Sequence, residues 1–300
     1  MKIEHLEDFD MKKAFKKYIT CKKCGNITQL KAMSHENTCA TIKKLNNDEI
    51  LVLSTGEIIE ATHIENRSQN KLQVSQTLRR LRDYINTNVT DATKCKWVTL
   101  TYKENMTDTE QLYNDFERYI KKFRYSYKDY KIEYIVAMEP QARGAWHCHC
   151  IFIFDKIPPF IPNEKMQELW GHGFTKTQKL NGVDNVGAYL TAYLGDIEYT
   201  EENVNECLEM GLKDIVFKEI NDKRQKKKFI KGGRLYLYPA KFNIYRCSRG
   251  IKKPFIYHDT YDHIKTKEGL GQPSYKKTIK IITNDFENII SYEEYNKNRK

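Results

Sequence analysis

Proline and glycine are scarce, at seven and fourteen residues among 300. That scarcity excludes collagen-like and low-complexity chains. No run of about eighteen apolar residues occurs, so neither a membrane span nor a membrane partner is expected. The opening stretch MKIEHLEDFDMKKAFKKYI is charged throughout and lacks the apolar core of a secretion signal. A cytoplasmic, reducing location is therefore expected. There the eight cysteines serve as free thiols or metal ligands rather than disulfides. Acidic residues are missing from one segment: 223–253 carries twelve Lys or Arg and no Asp or Glu.

The chain is 40% hydrophobic and 12% aromatic, too apolar to be disordered throughout. Its length suits one large domain or two. The net charge is +11, and the twelve cations of 223–253 account for all of it. The rest of the protein is close to neutral. A concentrated basic segment suits an acidic polymer, most often nucleic acid; the plain alternative is a solvated charged face or tail.

Periodicity predicts helices over 2–19, 72–85, 110–123, 163–170, 185–194 and 284–294. It predicts a hairpin over 49–61, and strands over 97–102, 132–138, 147–154, 174–178 and 234–238. No internal repeat is present.

Cys21 and Cys24 are two residues apart with Gly25 next, and His35 and Cys39 make a second close pair. Four such ligands in two pairs suit a tetrahedral, structural Zn²⁺. Redox or incidental thiols are the other reading. A zinc would clip together a small N-terminal module short of apolar residues.

His147-Cys148-His149 lies in a predicted strand. Residues two apart share a face, so the imidazoles point together with Ile151 and Ile153. Cys148, Cys150, Phe152 and Phe154 point the other way. If 132–138 and 147–154 pair antiparallel, Glu139 comes near His147. Two histidines and a carboxylate leave open metal positions for a phosphate oxygen. An isolated His-x-His more often has no such role.

Tyr189 and Tyr193 stand one helical turn apart, with Asp196 on the same stripe. Alone they read as core aromatics. Beside a metal-binding strand, a phenol becomes a nucleophile for phosphorus, and a phosphotyrosine ester keeps the energy of the cut bond. Nicking followed by rejoining fits that chemistry.

Three elements stand in order: Thr99-Leu-Thr101, Glu139-x7-His147-x-His149 and Tyr189-x3-Tyr193. This set resembles the rolling-circle replication initiators (Rep) of the HUH endonuclease superfamily, found on plasmids and bacteriophages. Arg143-Gly144, Trp170-Gly-His-Gly-Phe174, Gly232-Gly-Arg234 and the stretch 238–254 also look like that family, so the likeness spans roughly 95–255. It implies an α+β fold with a central antiparallel sheet flanked by helices. It also implies Glu139, His147 and His149 as ligands of a catalytic Mg²⁺ or Mn²⁺, and Tyr189 or Tyr193 as nucleophile. The family often carries Lys three residues after its tyrosine; here those positions are Ala192 and Asp196. The reading leans to Tyr193, since Asp196 one turn on would reach the metal or its water. Conjugative relaxases usually place the tyrosine before the histidines, unlike this order.

The expected activity is metal-dependent nicking and rejoining of single-stranded or hairpin origin DNA. Arg143, Lys226, Lys227, Lys228, Arg234, Arg246 and Arg249 are the expected DNA contacts, with nearby aromatics stacking on bases. No Walker-type phosphate loop (Gly-x4-Gly-Lys-Ser/Thr) occurs, so a host helicase is the expected partner for unwinding. The expected division is a zinc-binding module over 1–70, a nicking domain over 71–205 and a basic extension over 206–300. The alternatives are a transposase or relaxase of the same superfamily, or a non-catalytic zinc-containing DNA-binding protein.

Overall fold

Two apolar stretches with a turn between them organise the larger unit. The computed structural model describes residues 2–36, 39–141, 143–180, 183–191, 194–209, 217–222 and 225–299. They fall into two units: Ile64–Lys253, and Met1–His63 together with Pro254–Lys300.

The unit 64–253 is built on five antiparallel strands: β1 (Cys95–Thr101), β2 (Ile132–Pro140), β3 (Trp146–Phe154), β4 (Thr175–Gln178) and β5 (Tyr245–Cys247). Their order in the sheet is β4-β1-β3-β2-β5. Among its described helices are α1 (Lys71–Asn88), α2 (Thr109–Ser126), α3 (Asn163–Trp170) and α4 (Val186–Thr191), with Glu201–Glu209 following. The start of α2 is set by Asp108, whose carboxylate accepts from the N–H groups of Glu110 and Gln111.

Alternation along β3 sorts its side chains between two cores. Cys148, Cys150 and Phe152 are buried with Leu112, Phe116, Tyr119 and Phe123 of α2, and with Met166 and Trp170 of α3. Ile151 lies on the other face with Trp97, Ile135 and Ala137, under Leu81 and Ile85 of α1 and Leu190 of α4. The fold is thus α+β, an antiparallel sheet flanked by helices. A smaller antiparallel sheet joins Ile197–Glu198, Gln225–Ile230 and Phe217–Asp222.

The second unit holds a six-stranded antiparallel sheet in the order Lys2–His5, Tyr275–Ile282, Glu287–Asn296, Ile27–Met33, Ile19–Cys24, Phe255–Asp259. The helix Tyr261–Glu268 packs Ile264 against Ile19, Cys21, Leu30 and Tyr295. A separate three-stranded sheet, Ile42–Lys44, Glu49–Val52 and Ile58–Glu60, contains the expected hairpin.

Several expectations are corrected. Residues 2–19 are not one helix: a strand over Lys2–His5 precedes a four-residue helix capped by Asp10, and a second strand opens at Ile19. The expected helix over 284–294 is the strand Glu287–Asn296. Its buried positions include Ser291 and Glu293, so the period-2 signal is not written in apolar residues. Burial of Glu293 is offset by hydrogen bonds from the hydroxyls of Tyr261 and Tyr295. The expected strand over 234–238 is a short 3₁₀ turn, Leu235–Leu237.

The four expected zinc ligands are not brought together. Cys21 and Cys24 lie three apart on one uninterrupted strand, so they point to opposite faces of the sheet. Cys21 is in the core under the helix, and Gly25 (φ 60°) begins the hairpin turn to Ile27 rather than a metal knuckle. His35 is held through its backbone by Asn288, and its ring packs on Phe286. Cys39 is exposed. The unit boundaries also differ from those expected. Residues 254–300 pair with the first sixty, and 206–253 belong to the central unit.

Candidate active site

The β2–β3 hairpin sets the register on which the site depends. Glu139 stands directly opposite His147, and Ala137 opposite His149. On the other side of β3, Thr99 faces His149 and Thr101 faces His147. The loop closes through Gln141 and Ala145, with Gly144 inside it.

His149 bridges both neighbouring strands. Its Nδ1 lies 3.3 Å from Thr99 Oγ1, and its Nε2 lies 3.2 Å from Glu139 Oε2. A carboxylate only accepts, so Nε2 is the protonated nitrogen in this arrangement. Glu139 is buried, and its other oxygen accepts from the Gly195 N–H at 3.1 Å and forms an ion pair with Arg234 Nη1, 3.1 Å away. Burial works to raise the Glu139 carboxyl. The His149 hydrogen bond and the Arg234 charge outweigh it and hold the group below its usual value.

His147 has a different environment. Burial, with His149 beside it, pushes its imidazole down to about 4. It is therefore neutral at pH 7. Its Nε2 is buried and has no hydrogen-bond partner among the described residues. An orphaned buried nitrogen asks for a ligand.

These groups share a cleft of about 580 Å³, lined by Glu139, Gln141, Arg143, His147, His149, Asp196, Phe229 and Arg234. Two imidazoles and a carboxylate are a donor set that fits Mn²⁺ or Mg²⁺. Among the described residues, however, no group of three or more His, Cys, Asp or Glu side chains is drawn together for an ion. Instead, the oxygens of Glu139 are engaged by protein donors.

The tyrosine helix α4 lies on the histidine face of the sheet. Asn185 caps it, its Oδ1 accepting from the Ala188 N–H at 2.8 Å. Tyr189 is exposed and meets Trp97 edge-on at 5.5 Å; Trp97 in turn meets His149 edge-on at 6.5 Å. Tyr193 lies outside the described residues. Past it, Leu194 is buried and the Gly195 N–H reaches Glu139. Asp196 is buried, and its Oδ1 accepts from the Gly232 N–H at 2.7 Å.

Helix α4 sits very close to α1. A Cβ on Gly187 would stand 2.6 Å from the Arg82 carbonyl oxygen and 2.7 Å from Asn86 Oδ1, which also accepts the Gly187 N–H. Gly187→Ala is expected to push the tyrosine helix off the sheet. Overpacking of this kind costs about 1–3 kcal/mol. Urea denaturation would measure that loss. An unaltered denaturation midpoint would show that the helix position is tolerant.

The expected DNA contacts divide. Arg143 lines the cleft, exposed, with Nε on Gln141 Oε1 and a second nitrogen on the Tyr102 carbonyl. Arg246 is exposed and lies over the Tyr113 ring at 4.1 Å; Arg249 is exposed. Lys228 is exposed, with its ammonium 5.8 Å from the Tyr199 ring. The side chains of Lys226 and Lys227 lie outside the described residues, although their backbone is in a strand. Arg234 is no simple DNA contact, since it is paired with Glu139. The aromatics of the segment divide too. Tyr238 and Phe242 are core residues against Trp146, whereas Phe229 lines the cleft. Charge and composition alone did not signal the return of Gly232-Gly233-Arg234 to the histidine hairpin.

A family model described as a replication-associated protein matches residues 95–198. That span is about a third of the chain, and it runs from the first residue of β1 to just beyond Gly195 and Asp196. This finding supports a replication-associated protein. Neither a comparison with curated proteins nor one with solved structures gives a match. No helix among the described residues is long and apolar enough to cross a membrane.

Proposed function

We propose that this chain is a rolling-circle replication initiator of the HUH type, which nicks and rejoins single-stranded origin DNA through a phosphotyrosine. The observation that carries the reading is the hairpin geometry. It places Glu139 and both histidines on the sheet face that also carries the tyrosine helix. The likeness of residues 95–198 to a replication-associated protein supports it.

The chemistry assigns each group a task. His147, His149 and Glu139 would hold Mg²⁺ or Mn²⁺, which polarises a non-bridging phosphate oxygen when bound. His147 is neutral at physiological pH, so its lone pair is available. The tyrosine oxygen attacks phosphorus as its proton departs. The P–O bond to the 3′-oxygen breaks, and that oxygen leaves as a hydroxyl. The 5′-phosphate remains on the tyrosine, and a later 3′-hydroxyl reverses the step. Tyr193 is the preferred nucleophile, because it precedes by two residues the Gly195 N–H that touches Glu139. Arg143 and Phe229 line the same cleft and suit a phosphate and a base respectively. Arg246, Arg249 and Lys228 would extend the grip, and a host helicase would supply unwinding.

A labelled single-stranded hairpin from the cognate origin, incubated with Mn²⁺, is expected to yield a protein–DNA band that survives detergent. Tyr193→Phe should abolish it and Tyr189→Phe should not. The reverse pattern would move the nucleophile to Tyr189. No band with any origin sequence would overturn the enzyme reading and favour a DNA-binding protein without catalysis.

A further inference from the structure

The site contains a cation that its own carboxylate holds. Arg234 Nη1 lies 3.1 Å from Glu139 Oε1, and the side chain is mostly buried. Its backbone is fixed: the Arg234 N–H donates to the Gly195 carbonyl at 2.9 Å. The guanidinium is only partly satisfied, because its buried Nε has no hydrogen-bond partner among the described residues. Arg234 nevertheless borders the open cleft beside Arg143 and Phe229.

Glu139 cannot serve every neighbour at once. Three groups already occupy it: the Arg234 guanidinium as an ion pair, and the Gly195 N–H and His149 Nε2 as hydrogen-bond donors. An ion held by Glu139 and His149 must replace the His149 N–H, and it brings two positive charges beside the guanidinium. Like charges a few ångströms apart in a buried site repel strongly. A guanidinium expelled from Glu139 keeps five donors in a fork that matches phosphate. The sequence supplies no Lys three residues after either tyrosine, where Ala192 and Asp196 stand, and Asp196 accepts from the Gly232 N–H.

We propose that Arg234 and a divalent cation exchange places on Glu139. Without the cation, the guanidinium neutralises the buried carboxylate. With the cation bound, the guanidinium turns to a phosphate of the single-stranded DNA. The exchange rests on the nicking-site reading above, and it makes metal binding and phosphate capture one event.

The test uses the full chain with Tyr189 and Tyr193 both changed to Phe, so that no adduct forms. Mn²⁺ alone is titrated by calorimetry into this protein and into versions that add Arg234→Gln, Arg234→Lys or His147→Ala with His149→Ala. Binding of a labelled single-stranded oligonucleotide is then followed across salt concentrations, with and without Mn²⁺. Arg234→Gln is expected to bind Mn²⁺ several-fold more tightly than its parent, because a competitor has gone. Mn²⁺ should steepen the parent's log–log salt slope by about 0.7, the value of one phosphate contact on a single strand. It should leave the Arg234→Gln slope unchanged. Arg234→Lys retains the charge and should behave like the parent, which guards against misfolding of the glutamine variant.

Equal or weaker Mn²⁺ binding by Arg234→Gln overturns the exchange, as does a slope shift that persists in it. So does an Arg234→Lys variant that matches Arg234→Gln. Mn²⁺ binding that survives loss of both histidines instead overturns the nicking-site reading, and the exchange with it.

Discussion

Replacing Glu139 with alanine is expected to destabilise the 64–253 unit by about 3–5 kcal/mol, the usual cost of breaking one side of a buried ion pair. Glu139 is 6% exposed, accepts two hydrogen bonds and pairs with Arg234. Its removal leaves the Arg234 guanidinium without a counter-charge and the Gly195 N–H without an acceptor. Glu139→Gln keeps an acceptor oxygen and should lose less. Urea denaturation followed by circular dichroism would read both. An alanine variant with the parental midpoint would show that water replaces the carboxylate at little cost.

The pH dependence has a definite sign. The Glu139 carboxyl is held below its usual value in the folded protein. Its contribution is therefore complete above the unfolded value, near ~4.3, and is lost as pH falls through the lower folded value. The stability gap between the parent and Glu139→Gln should be constant from about pH 6 upward and close in acid. A gap that widened in acid would contradict the assignment.

The second large effect is expected at Trp146. Its ring is 2% exposed, stacks on Phe242 at 4.4 Å and meets Tyr238 edge-on at 5.8 Å. Its Nε1 donates to the Thr107 carbonyl at 2.9 Å. Trp146→Ala should cost about 3–5 kcal/mol, from lost burial and the cavity left behind. Tyr238 and Phe242 follow Arg234 closely in the chain, so the same change should loosen the stretch that delivers the guanidinium. Faster trypsin cleavage after Lys231, Arg234 or Lys241 would report that loosening. Trp146→Phe retains an aromatic filler and should recover much of the loss. Cleavage unaltered in Trp146→Ala would show that the stretch is held by other contacts.

Much of the central sheet was legible because its signals are local. Strict alternation in Trp-His-Cys-His-Cys-Ile-Phe assigns the two histidines to one face, and the short connection before it dictates antiparallel pairing. If the two strands pair, that short connection brings Glu139 near His147; the register that sets them directly opposite is a feature of the structure. Helices α1, α2 and α3 were legible from their apolar stripes. The strand Glu287–Asn296 was not, because Ser291 and Glu293 fill buried positions and Tyr261 satisfies the acid from another element. The cysteine pair misled for a related reason. Spacing in sequence resembles a knuckle, but on a strand a separation of three places the thiols on opposite faces.

By itself the sequence determined the chemistry within reach of one hairpin: two imidazoles, one acid, and the face they share. It also determined that a basic, aromatic segment follows the tyrosine helix. Only the tertiary structure decided what that segment does. Two of its rings became core, its Gly-Gly-Arg turn returned to the hairpin, and one of its twelve cations was placed on Glu139. Periodicity reports the face a side chain takes. It carries no information about which distant charge will stand across from it, because that meeting is set by the packing of elements far apart in the chain.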